Sequence, residues 1–335
     1  MAAAPSKANS RTTRQSGDPI VIGIVNNMPD AALRTTERQF GELIAAAAGS
    51  LAIELRLYAL PDVPRSDTAA AYIREHYEDV GVLYERRVDG LIVTGSEPRS
   101  PVLADEPYWA SFTKLVDWAR ENTVSTIWSC LAAHAAVLHL DGIERQPFGE
   151  KLSGVFNCVK ATPHALTAGT PALWGIPHSR YNDLPEKSLL ARDYRLLSRS
   201  RDAGVDMFLK QANSLFVFIQ GHPEYDQAAL LREYRRDVTR FLNGERKLYP
   251  GMPQNYFGAE LAAMLADFRS RAEPNRTPDM LAGFPFGKAL EDLAYVWRRP
   301  AVCIYENWLS YLAEHAAPRD GTKKKLSAAA ARTML

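Results

Sequence analysis

The chain begins its ordered pattern with a short apolar run, Ile20 to Val25, ended by Asn26-Asn27; a buried strand followed by a polar loop fits that run. A helical period follows in "ALRTTERQFGELIAAAAG", with Thr35 or Thr36 as the expected cap and Gly49 as the stop. "LAIELRLYAL" alternates as a second strand, and "DTAAAYIREHYEDVGVLYERR" reads as one or two helices. A third strand, Leu91 to Thr94, breaks into the loop "GSEP". Trp109, Phe112, Leu115, Val116 and Trp118 then recur at helical spacing, "VSTIWS" is a fourth strand, and "LAAHAAVLHL" a further helix. Strand and helix thus alternate through the first half, which predicts an α/β fold with a mostly parallel, doubly wound sheet.

The second half changes character. "KLSGVFNCVKA" and "YRLLSRSRDAGVDMFLKQANSLFVFIQ" hold short strands separated by turns, which predicts an antiparallel extension. "GHPEYDQAALLREYRRDVTRFLNG" leaves a strand end and becomes a long helix, and "AVCIYENWLSYLAEH" is a final amphipathic helix. Residues 19–316 are expected to form one domain. Residues 258–295, rich in Pro, Gly and Ala, look like an insertion within it. The stretches 1–18 and 317–335 read as disordered tails without a secretory signal.

Composition narrows the functional classes. The balance of 40 basic against 39 acidic residues leaves no footprint for nucleic acid. No stretch of about 18 apolar residues predicts a membrane span. The three cysteines, Cys130, Cys158 and Cys303, have neither metal-ligand nor disulfide spacing, which suits a reducing cytoplasm, and no metal is expected.

Parallel sheets of this kind place their sites beyond the C-terminal strand ends, where Asn26, Gly95 and Cys130 fall. Cys130 stands at a strand-to-helix junction. A helix start stabilises a thiolate, and its free N–H groups can hold an oxyanion. Leu131 would supply one such group, and Gly95 or Ser96 another. A buried structural cysteine would explain the same position. Among seven histidines, His222 follows the strand "LFVFIQ" directly, with Glu224 two residues on to orient its ring. His178 lies in "IPHSRYND", read as a polar loop, while His134 and His139 read as packing or surface positions.

The Cys elbow with a late "GHPE" resembles the triad layout of class I glutamine amidotransferases, whose sheet is flavodoxin-like. The ordered set "NNMPD", "ERQF", "DGLIVTG", "YW", "STIWSCLAAHAAV", "EKLSGVF", "PHSRYND", "GHPEYD", "EYRRD", "PQNYF" and "NWLSYL" is similar to the homoserine O-succinyltransferases over residues 19–316. That resemblance implies ping-pong acyl transfer from an acyl-CoA co-substrate to homoserine in methionine biosynthesis, without a further cofactor, by a cytoplasmic homodimer. It implies Cys130 as nucleophile, His222 as base and Glu224 as its partner. Lys151 and Ser179 would line the substrate site, and Arg236 would hold the amino acid's carboxylate.

Departures from the family pattern bear on specificity. Asp30-Ala31-Ala32 follows Met28-Pro29 where the family has a lysine pair, with Arg34 as a possible stand-in. Leu131 and His134 replace a tryptophan and a glutamine. Arg99 stands where the resemblance places glycine in succinyl enzymes and glutamate in acetyl enzymes, so it is a candidate for pairing with a succinyl carboxylate. Alternatives that keep the triad are a different acceptor, such as serine, or a different acyl donor. A glutaminase feeding ammonia to a partner and a non-catalytic binding module complete the set.

Overall fold

The computed structural model describes residues 18–316 apart from 292 and 294, so the expected tails lie outside the described residues except for Asp18. The first half runs β1 (Ile20–Val25), α1 (Leu33–Ala47), β2 (Ile53–Tyr58), α2 (Asp67–His76), α3 (Val80–Glu85), β3 (Gly90–Thr94), α4 (Trp109–Asn122), β4 (Ser125–Ser129) and α5 (Leu131–Asp141). Then come β5 (Gln146–Lys160), β6 (Leu173–Asp183), α6 (Glu186–Leu190), β7 (Arg195–Ser200), β8 (Gly204–Gln211), β9 (Leu215–Ile219), α7 (Ala229–Leu242), α8 (Ala259–Ala272), α9 (Phe286–Glu291) and α10 (Arg298–His315).

The nine strands among the described residues form one sheet in the order β2-β1-β3-β4-β9-β8-β7-β5-β6. From β2 to β9 the pairings are parallel, and from β9 to β6 they are antiparallel. The expected parallel sheet with an antiparallel extension is therefore present. Alternate side chains of the central strands feed two cores. Val21, Val25, Leu91, Val93 and Trp128 pack under α3, α4 and α5. Ile20, Ile22, Ile24, Ile92 and Ile127 pack under α1 and α10. Burial on both faces explains why these strands read as unbroken apolar runs rather than as alternating ones.

Three local expectations are corrected. Helix α1 starts at Leu33, and its first position is not capped by a threonine; Thr36 is buried within its first turns. The "IPHSRYND" segment is not a loop but part of β6, and His178 is fully buried in it. The strands of the extension include one of 15 residues, β5, whose pairing with β6 shifts register between Pro147 and Leu152.

Residues 258–295 pack through Leu261, Leu265, Phe268 and Phe284 onto Leu230, Tyr234, Val238 and Phe241 of α7. Beside them, Trp297 Nε1 donates to Tyr225 O at 2.8 Å and Tyr256 OH to Gln227 O at 2.5 Å. This region therefore buttresses α7 and the loop that follows β9. Among the described residues no helix is long and apolar enough to cross a membrane.

Candidate active site

Strands β3, β4 and β9 end level with one another, with Thr94 opposite Ser129 and Ser129 opposite Ile219. The next residues therefore share one edge. Cys130 takes φ +51° and ψ −112°, a region that L-residues seldom occupy, and its N–H donates to Ile219 O at 2.8 Å. The sharp turn lets β4 pass straight into α5 while lifting the thiol out of the sheet. Strain of this kind persists where the surroundings over-determine it, as the β4–β9 ladder does here. The Leu131 N–H opens α5 and has no acceptor within the helix. A Cβ added at Gly95 would lie 2.4 Å from Leu131 Cβ, so the β3 loop rests directly on the elbow because residue 95 has no side chain.

His222 lies past the end of β9. Its N–H donates to Pro177 O at 2.8 Å, and its ring stacks on Tyr225 with centroids 4.2 Å apart. Nδ1 meets Glu224 Oε1 at 2.7 Å, and both side chains are buried. With Nδ1–H directed at the carboxylate, Nε2 is left for the cysteine. Burial opposes charge on this imidazole, but Glu224 and then Cys130 outweigh it and hold the pKa well above the ordinary value.

Cys130, His222 and Glu224 line one cavity together with Gly95, Leu131, Lys151, Ser179 and Arg236. Lys151 sits in the irregular stretch of β5, where a bulge re-aims side chains. Its Nζ bridges Glu233 Oε2 (3.1 Å) and Asp237 Oδ2 (3.0 Å). Ser179 donates to Glu233 Oε2, and Tyr225 OH to Glu233 Oε1 at 2.5 Å. Burial alone would favour a neutral Glu233. The charges of Lys151 and Arg236 outweigh it, and with hydrogen bonds from Ser179 and Tyr225 they bring its pKa down to about 2. Arg236 forks onto Asp237 Oδ1 through Nε (3.0 Å) and Nη2 (2.9 Å). Residues 233, 236 and 237 share a helix face, so the spacing in "EYRRD" was a readable signal for Glu233 and Asp237 that the sequence reading did not use.

Two sequence candidates lie apart. Arg99 is exposed and lines a neighbouring recess with Asp30, Glu97 and Arg240, not the cavity of Cys130. Arg34 lies over the Tyr72 ring at 4.2 Å, and Asp30 accepts the Ser66 N–H at 2.8 Å. Conversely, His134, Arg145 and Arg180 line the cavity without having been singled out for it. Among the described residues, Cys158, His178 and Asp206 also meet, with ligand-type atoms within 4.8 Å of one another. Hydrogen bonds reach two of its members, while His178 Nε2, 3.6 Å from Asp206 Oδ1, has no hydrogen-bond partner among the described residues. Arg180 Nε donates to His178 Nδ1 at 3.3 Å, while Ser198 and Gly221 donate to Asp206. Burial pushes the Cys158 thiol far up, so it is inert beside Cys130.

The family described as "HTS: Homoserine O-succinyltransferase" matches residues 5–319. The homoserine O-succinyltransferase of Rhodopseudomonas palustris is 49% identical over 294 residues, covering 88% of each chain. That of Bradyrhizobium japonicum is 47% identical over 313 residues, covering 92% of this chain and 96% of its own. That of Methylorubrum extorquens is 46% identical over 296 residues, covering 88% of each. Among solved structures, a glutamine amidotransferase from Methylobacillus Flagellatus is similar at 17% identity with a TM-score of 0.48, over 88% of this chain and 94% of that one. An acyltransferase family match across almost the whole chain thus meets a cysteine elbow with a histidine and a carboxylate beside it: the chain belongs to the homoserine O-succinyltransferase family.

Proposed function

We propose that the protein moves a succinyl group from succinyl-CoA to the hydroxyl of L-homoserine through a thioester on Cys130. The observation that carries this reading is the convergence of the strained Cys130 elbow with the His222–Glu224 pair at 2.7 Å in one cavity. His222 Nε2 takes the thiol proton. The sulfur attacks the thioester carbonyl, and the oxyanion is held by the N–H groups of Leu131 and Gly95. Collapse expels CoA as a thiolate, which receives the proton back from His222. Homoserine then enters, its hydroxyl gives a proton to His222, and its oxygen displaces Cys130 to form the O-succinyl ester.

Glu224 keeps the imidazole in the required tautomer and steadies its charge through both halves of the reaction. Arg236 is suited to the amino acid's carboxylate, because its fork onto Asp237 uses Nε and Nη2 and leaves Nη1 to donate. Lys151 and Ser179 bind and orient substrate from the same cluster, since both bond Glu233 beside Arg236. Methionine biosynthesis in the cytoplasm by a homodimer is the setting that the family suggests; sedimentation of the purified chain tests the dimer.

Intact-protein mass after mixing with succinyl-CoA alone tests the mechanism. The wild type is expected to gain one thiol-labile succinyl group, and Cys130→Ser is not. A wild type that stays unmodified while still making O-succinylhomoserine when both substrates are present would exclude the covalent route.

A further inference from the structure

A succinyl group on Cys130 carries a free carboxylate at its far end, and the cavity has to receive that charge. Four cationic side chains line it: Arg145, Lys151, Arg180 and Arg236. Three already hold carboxylates or carbonyls of the protein. Lys151 is bridged to Glu233 and Asp237, and Arg236 forks onto Asp237. Arg180 donates to His178, to Asn182 O (2.6 Å), to Asp183 Oδ1 (2.9 Å) and to Ala203 O.

Arg145 differs. Its Nη2 donates to Pro101 O at 2.9 Å, which pins the guanidinium against the loop after β3. Its Nη1 is buried and has no hydrogen-bond partner among the described residues. A buried N–H group on a cation is costly to leave unmade, and the cost disappears when an anion enters. Glu106 lies close enough for its charge to act on Arg145. Its Oε1 is taken by the N–H groups of Arg99 (2.6 Å) and Ser100 (2.8 Å); among the described residues its buried Oε2 has no hydrogen-bond partner, and no ion pair joins it to Arg145. The charge of Cys130 also reaches the guanidinium. Arg145 is placed there by the chain's turn after α5, where Gly142 at φ +66° ends the helix and Ile143 is buried behind it.

We propose that Arg145, and not the exposed Arg99, selects the acyl donor by binding the terminal carboxylate of a dicarboxylic acyl group held on Cys130. This rests on the acyl-transfer reading above. The phosphates of CoA offer similar oxygens, but the whole pantetheine arm separates them from the thioester. The short diacid is the group that reaches a wall shared with the thiol.

The test compares single-turnover acylation of Cys130, read by intact mass, with succinyl-CoA and with butyryl-CoA, which keeps the phosphates and lacks the carboxylate. Arg145→Gln is expected to slow succinylation about 100-fold and to change butyrylation by less than about 3-fold; Arg145→Lys is expected to fall between. Loss of equal size on both donors would assign Arg145 to CoA phosphates or to a structural pairing with Glu106 and overturn the proposal. So would an unchanged preference for succinyl-CoA, or its removal by Arg99→Ala instead. A folded wild type that acylates with butyryl-CoA but never with succinyl-CoA would also remove it while leaving the cysteine mechanism standing. No acylation of the wild type by either donor would instead reject the acyl-transfer reading itself.

Discussion

At position 134 a histidine sits where it is neutral at ordinary pH. It is buried, its Nε2 meets Gln220 Oε1 at 2.8 Å, and burial first and the Arg180 charge second push its pKa down to about 3 from the ordinary 6.5. The sign of the pH effect follows. Between those values the unfolded chain binds a proton that the folded chain does not, so stability falls as pH drops from about 6.5 towards 3. The slope contributed by one such group is at most about 1.4 kcal/mol per pH unit. His134→Gln should flatten that part of the acid limb in urea unfolding measured at successive pH values; an unchanged limb would place the acid sensitivity elsewhere. Cys130, His222 and Glu224 were legible because each lies at a strand end whose apolar run announces it. His134 and Arg145 were not, because a helix and a turn with those residues look alike whether they face solvent or a cavity. Lys151 and Arg236 needed the family resemblance, since a lone charge in a sequence is usually a solvated one.

Among the elements, the elbow between β4 and α5 carries the most constraint. It combines the positive φ of Cys130 with the close seat of the Gly95 loop. Gly95→Ala would drive a methyl group into Leu131, and both N–H groups assigned to the oxyanion would move apart. We expect a loss of acylation rate of about 100-fold with the fold retained, the size seen when one oxyanion donor is removed. Stopped-flow release of CoA would measure it, and a rate within a factor of two of wild type would show that the loop yields without disturbing the hole. Strands β1, β3, β4 and β9 could be read from the sequence because both faces are apolar. Strand β6 could not over "IPHSRYND": its polar residues find partners inside the fold, as Arg180 does with Asn182, Asp183 and Ala203. The start of α1 was misplaced because a threonine is a good cap in general, yet Thr36 here turns inward to the cavity wall.

Over the whole molecule, α10 closes one face of the sheet. Gly90 of β3 has no side chain where Leu312 and Trp308 press in, and Trp308 Nε1 donates to Ser125 Oγ at 3.0 Å. Trp308 is 1% exposed, so truncating it leaves a large hole under β3 and β4. Trp308→Ala should destabilise by about 3–5 kcal/mol in denaturant titration, and a cost under about 1 kcal/mol would show that α10 is dispensable to the sheet. The alternation of strands and helices in the first half predicted this layered plan. The role of residues 258–295 was not readable, because their apolar side chains have meaning only against α7, far back in the chain.

Cys130 and the segment bearing His222 emerge from neighbouring strands, with Cys130 N–H bonded to the last residue of β9. The separation of the proposed nucleophile and base is then set by the β-lattice, in which neighbouring strands lie about 4.8 Å apart, and by a few residues of turn. Loops elsewhere on the rim can lengthen, shorten or exchange their charges without stretching that pair. Donor and acceptor preference can therefore drift while the bond-making step stays in register, as a tool keeps its grip when the jaws are changed.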